Sequence, residues 1–206
     1  MAYTEAQAVT QVRYLLNEPT AKFWTDTELT SWIQQAALDI SCKTLCTTDE
    51  GTITLVEGQL KYTSTDESWI DDNLRIEAMW YGFGTTMRGL QRTSPHRFGH
   101  MQIGGSKSPR YWYEDGKRIY LWPVPTASDA GIDLTCVYSK LTFDITELRE
   151  EYQQLTFFYA VSMAKAKDRK FEEAALYQQL YLNALNFERQ DKHDMGTMPT
   201  DSFKQP

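Results

Sequence analysis

Cysteine is scarce: Cys42, Cys46 and Cys136 are the three in 206 residues. An odd, low count does not staple a small fold and points to a reducing compartment. Long apolar runs are missing as well. Phe157-Phe158-Tyr159-Ala160-Val161 is among the longest, and a spanning helix needs about 20 residues, so no transmembrane segment is expected. The opening residues, Met1 to Gln7, have neither a basic region nor an apolar stretch, so no secretory signal is expected. Positive charge is in deficit, with 21 Lys and Arg against 28 Asp and Glu and a net charge of −7. A protein that grips a phosphate backbone is built on a basic patch, so this balance argues against that class. Catalytic apparatus is thin. There is no G-x-S-x-G nucleophile turn. Gly99 and Gly104 have the spacing of a phosphate loop, but Gly105 stands where its Lys belongs. The three histidines, His96, His100 and His193, fall in a loop and a polar tail, where they make poor general bases. No enzyme activity and no cofactor are expected.

What is present is a core. Apolar residues make up 41% of the chain, with 12 Tyr, 9 Phe and 6 Trp, enough to bury a globular interior at this length. Thr4-Glu5-Ala6-Gln7 has capping-box spacing, and Val9, Val12 and Leu16 follow at helical intervals. Pro19 stops that helix. Thr25-Asp26-Thr27-Glu28 is a second capping box, flanked by Trp24 and Leu29 as a hydrophobic staple. Helices are expected over 4–17 and 26–44, folded back as a hairpin.

From Gly51 the period becomes two. Thr52–Val56 and Gln59–Thr63 read as a hairpin around Glu57-Gly58, and 74–80 reads as a third strand. Residues 82–109 read as a long loop, with 88–92 as a short helical candidate. Arg110–Glu114 and Lys117–Trp122 flank Asp115-Gly116, a strong hairpin signal, and 132–138 forms the last strand. Asp144-Ile145-Thr146-Glu147 then caps a helix with apolar residues on two faces. One face is Leu148, Tyr152, Leu155 and Tyr159; the other is Phe157, Ala160, Val161 and Ala164. A second helix runs from Phe171 to about Gln190, and 191–206 is a flexible tail. The expected class is α+β. Residues 1–190 form a single domain, with a helical body from 4–44 and 146–190. A central antiparallel β-domain of five or six strands is inserted at 51–140.

Three constellations invite a chemical reading. Cys42 and Cys46, with His96 and His100, have zinc-ligand types and pairwise spacings. The pairs lie far apart in sequence and the core needs no metal, so no metal site is expected. Paired acids such as Asp71-Asp72, Glu150-Glu151 and Glu172-Glu173 sit where solvated helix starts and surfaces explain them. The hairpin bearing Tyr111, Trp112, Tyr113, Tyr120 and Trp122 has aromatics on both faces. One face is core. The other suits cross-strand pairing, a subunit contact, or a stacking platform for a glycan or other polymer.

Several stretches together resemble a known family. They are Val12–Pro19, Phe23-Trp24-Thr25-Asp26-Thr27-Glu28-Leu29, Trp32–Ala36, Val56–Tyr62, Ile119–Pro125 with its L-x-P-x-P ending, and the closing helical pair. In order and spacing, across roughly 4–190, the chain resembles the head-to-tail adaptor proteins of tailed bacteriophages, also called connector, neck or head-completion proteins. The resemblance implies a structural virion protein assembled in the host cytoplasm, with no reaction and no membrane. It implies a ring, usually of twelve subunits, that docks under the portal and extends the DNA channel. It also implies a surface for the next neck or tail component. By matching position, Trp24, Trp32, Tyr152, Phe157, Tyr159 and Val161 are the candidate ring contacts. Met195, Met198 and Phe203 of the tail are the candidate portal contacts. Glu150, Glu151, Glu172 and Glu173 are the candidate channel lining, past which double-stranded DNA moves without specific binding. The alternatives are a tail-tube protein of a short-tailed phage and, from a different class, an aromatic-hairpin module for glycan or polymer.

Overall fold

The computed structural model describes residues 2–82, 87–99 and 108–195. The chain is α+β and divides into two compact units, Met1–Cys46 with Thr142–Pro206, and Thr47–Leu141.

The first unit is helical. Its elements are α1 (Glu5–Leu15), α2 (Asp26–Thr44), a 3-10 turn (Ile145–Glu147) and two long helices, Glu150–Lys167 and Phe171–Met195. Both N-terminal capping boxes form. Thr4 caps α1 reciprocally with Gln7, and Thr25 caps α2 reciprocally with Glu28. Asn17 at φ 57° and Leu45 at φ 52° turn the chain out of α1 and α2 in the left-handed region. Asp144 caps only the 3-10 turn, through a bond from Thr146 N–H of 2.8 Å. The long helix therefore starts at Glu150, later than its sequence pattern indicates. Two apolar clusters fill this unit. One joins Ala8, Val9, Val12, Trp24, Leu29 and Ile33 to Phe157, Ala160, Val161 and Ala164. The other joins Ala37 and Ile40 to Tyr152, Leu155, Tyr181 and Leu185.

The second unit is two four-stranded sheets, ordered β1-β8-β3-β4 and β2-β7-β6-β5. The strands are β1 Thr48–Thr54, β2 Lys61–Thr63, β3 Asn73–Tyr81, β4 Arg88–Gly89, β5 Gln91–Arg92, β6 Tyr111–Glu114, β7 Arg118–Trp122 and β8 Asp133–Lys140. Helix α3 (Pro95–Gly99) follows β5, so the long closing helices are α4 and α5. Both sheets contribute to one core, with Ile53, Ile76, Met79, Leu134 and Cys136 from the first and Tyr62, Trp112, Ile119 and Leu121 from the second.

Two expectations change. Thr52–Val56 and Gln59–Thr63 are not a hairpin. Strand β1 pairs with β8 and β2 pairs with β7, so the turn between them crosses from one sheet to the other. Gly58, at φ 75°, donates its N–H to Pro125 O at 2.9 Å, and Tyr62 Oη accepts Val56 N–H at 3.1 Å, which fixes the crossing. Residues 88–92 are two short strands around Leu90 rather than a helix, and β5 runs parallel to β6. The β6–β7 hairpin forms as expected, with its turn one residue along. Asp115 N–H donates to Arg118 O at 2.9 Å and Gly116 takes φ 59°.

Candidate assembly surfaces

The motif around Trp24 is built on a buried arginine. Arg13, 6% exposed, reaches from α1 to the start of α2. Its Nε and Nη2 donate to Asp26 Oδ1 at 2.9 and 2.5 Å, and Nη2 also donates to Trp24 O at 2.8 Å. Glu18 Oε1 lies 3.5 Å from Arg13 Nη1 and accepts the N–H groups of Lys22, Phe23 and Trp24 at 2.6, 2.7 and 3.2 Å. Burial opposes ionisation of Glu18, but those three donors and the Arg13 charge outweigh it and hold the carboxyl below its ordinary range. Glu28 is held lower still, at about 2, by Lys167 and then by Thr25. Lys167 also stands 5.5 and 6.0 Å from the ring centroids of Trp24 and Trp32. This stretch thus locks α1, α2 and α4 together. Arg13 lies 13 residues from Asp26 and Lys167 lies 139 residues from Glu28, separations that no periodicity connects.

The two apolar faces of α4 are both covered within the chain. Phe157, Ala160, Val161 and Ala164 pack into the cluster shared with α1 and α2, where Tyr3 meets Phe157 edge-on at 5.1 Å. Tyr152 and Leu155 pack into the cluster shared with α2 and α5. Among the candidate ring contacts, Trp24, Tyr152, Phe157 and Val161 are buried, and Trp32 and Tyr159 are half-buried. The two-faced pattern is therefore not the mark of a neighbouring subunit, because α1, α2 and α5 supply the cover.

Helix α5 carries an apolar stripe that the described residues leave open. It runs antiparallel to α4, as the contacts Ser162–Gln178, Tyr159–Tyr181 and Lys165–Glu173 show. Ala174, Tyr181 and Leu185 face inward. The Tyr181 hydroxyl donates to Asp39 at 2.5 Å, and burial followed by that carboxylate pushes its pKa far up. Leu176, Leu180 and Phe187 are 56%, 43% and 63% exposed. Their spacing of four and seven places them on one stripe of the outer face. Sequence reasoning passed over this stripe because periodicity shows that a face is apolar, not which neighbour covers it.

The four candidate channel residues are all exposed, in two separate pairs. Glu150 and Glu151 open α4 and Glu172 and Glu173 open α5. In an antiparallel pair these first turns lie at opposite ends, each where negative charge suits a helix N-terminus. Glu173 is bound to Lys165 at 2.5 Å. Of the candidate tail contacts, Met195 is the last residue of α5, so helix extends into the expected tail, while Met198 and Phe203 lie outside the described residues.

In the aromatic hairpin Trp112 is buried, while Tyr111, Tyr113, Tyr120 and Trp122 are half-buried on the other face. Tyr113 and Tyr120, opposite in register, stack at 4.5 Å with planes 2° apart. The zinc-like set does not assemble among the described residues. Cys42 is exposed and Cys46 buried in the helical unit, His96 lies on α3 of the other unit, and His100 is outside the described residues. No group of three His, Cys, Asp or Glu stands at metal spacing among the described residues. Nor is any described helix long and apolar enough to cross a membrane.

No curated protein matches the sequence. A family model does, along nearly the whole chain. It covers both the helical unit with its Arg13–Asp26 lock and the two-sheet unit between the helices. The model is that of the SU10 adaptor protein, it matches residues 2–202, and the chain belongs to that family of bacteriophage head-to-tail adaptors, structural components of the virion.

Proposed function

We propose that the protein forms a ring beneath the phage portal, continues the DNA channel and presents the surface on which the next neck or tail component docks. The family match over residues 2–202 carries this reading. The open stripe Leu176, Leu180 and Phe187 supports it, because a closed ring needs an apolar patch on each subunit for its neighbour. Trp32 and Tyr159, half-buried in the helical unit, are the candidate ring contacts that keep accessible surface. The acidic first turns of α4 and α5 are the proposed bore-facing charge, which lets a duplex pass without sequence readout. The role is mechanical, and no reaction is assigned.

Met198 and Phe203, with Met195 before them, are proposed to bind the portal. A polar segment with sparse apolar anchors gains order on a partner groove rather than on itself. Truncation after Met195 keeps all of α5 and should leave the melting temperature unchanged. The truncated protein should no longer co-sediment with purified portal. Undiminished co-sedimentation would remove the tail from the docking scheme.

A further inference from the structure

The acidic total conceals a window of the opposite sign. From Ala78 to Tyr113 there is no Asp or Glu, although the chain holds 28, and the same window carries Arg88, Arg92, Arg97, Lys107 and Arg110. The fold gathers its described arginines on one border of the two-sheet unit. Strand β4 ends the first sheet and β5 ends the second, with only Leu90 between them, so the two sheet edges adjoin. Arg88 is on β4, Arg92 on β5 and Arg97 on α3. Arg110 precedes β6, where its carbonyl accepts Gln91 N–H at 2.8 Å. All four side chains are exposed.

Local contacts fix two of the guanidiniums in place. Arg88 lies over the Tyr81 ring at 5.1 Å and donates to Pro109 O at 2.6 Å. Arg92 lies over the Trp112 ring at 5.3 Å. Two carboxylates approach this border, and neither is exposed. Glu114, 3.7 Å from Arg92, has a side chain 10% exposed and accepts Ile76 N–H at 3.3 Å. Asp129, 1% exposed, accepts from the Tyr81 hydroxyl at 2.6 Å and from Thr126.

We propose that this arginine border, Arg88, Arg92, Arg97 and Arg110, is a contact surface for the phosphate backbone of duplex DNA. It rests on the channel reading above and names the group that touches the passing duplex. A protein partner fits less well, since interface cores are apolar and this border is dominated by charge. Guanidiniums match phosphate oxygens in charge and fork geometry without reading sequence. At physiological salt a field decays over about 8 Å, so acid elsewhere in the chain is screened from a phosphate lying against this edge. A single copy should bind weakly, in the range of non-specific contacts, and let the duplex slide.

The test is fluorescence anisotropy of a short labelled duplex with the purified full chain, titrated across salt. Each neutralised phosphate contributes about 0.9 to the slope of log affinity against log salt, so four contacts predict a loss on the order of 100-fold between about 50 and 200 mM. The Arg92→Gln, Arg97→Gln, Arg110→Gln triple variant leaves Arg88 bound to Pro109 and should retain only a roughly 3- to 4-fold dependence. The matching triple Arg→Lys variant keeps the charge and should keep the wild-type salt slope, which a purely structural role for these guanidiniums would not allow. Equal melting temperatures exclude unfolding as the cause. No salt-dependent binding by the wild type, or undiminished binding by the Gln variant, overturns the proposal. So does a Gln variant that loses portal or self-association while its duplex affinity stands, because the border then belongs to a protein interface. Either failure leaves the adaptor reading intact, since portal binding tests that separately.

Discussion

Glu28 shows how much one side chain does in this protein. It completes the cap of α2 by accepting Thr25 N–H and ties α2 to Lys167 at the end of α4. Its folded pKa of about 2 lies below the ordinary 4.5. A carboxyl depressed in the folded state stabilises above its unfolded pKa, and that contribution is lost as pH falls from about 4.5 to about 2. The Glu28→Gln variant should therefore melt below the wild type at neutral pH, and the difference should shrink towards zero near pH 2. A gap that stays constant over that range would show that the carboxylate charge plays no part. Gly51 makes a different demand at the same scale. A Cβ there would lie 2.5 Å from Trp69 Cδ2 and Cε2, and the indole stacks on Tyr138 at 4.7 Å while donating to Thr52 O at 3.0 Å. Only a residue without a side chain leaves room for that indole.

At the scale of elements, α4 fills the core and α5 keeps an open apolar stripe. The pattern of α4, apolar on two faces, reads from sequence as a helix central in its own domain or as a subunit contact, and both faces are satisfied inside the chain. Phe157 is a core residue. Phe157→Ala should cost about 3–5 kcal/mol of stability, seen as a lower urea midpoint. Leu176→Ser with Leu180→Ser changes exposed positions, and each surface substitution should shift stability by no more than about 0.5 kcal/mol. That double variant should keep the wild-type urea midpoint and lose self-association in sedimentation velocity. Reversed outcomes, with Leu176 and Leu180 essential for folding and Phe157 dispensable, would return the contact to α4.

The same comparison marks what the sequence makes legible. Capping boxes and helical spacing place α1 and α2 to within two residues, because those signals are local. Strand pairing is not local: alternation identifies 52–56 and 59–63 as extended but cannot say that they belong to different sheets. The Arg13–Asp26 bond crosses two helices and leaves no periodic trace. The arginine border is legible only as an absence of acid, which a whole-chain charge of −7 averages away.

For the whole molecule, family membership fixes a structural role in the virion, and the open stripe on α5 is the proposed surface for assembly. A heterologous contact between identical subunits closes into a ring or runs on as a filament, depending on the rotation between neighbours. The portal beneath which the protein is proposed to sit provides a template for closure. The binding energy of such contacts is gained many times over around a ring, so weak subunit contacts suffice once the portal brings copies together. The most direct measurement is native mass spectrometry of the purified protein, alone and mixed with purified portal. The account predicts one closed oligomer of the protein on each portal ring, with twelve copies the number that the adaptor resemblance implies. A protein that stays monomeric and unbound in the presence of portal would contradict it.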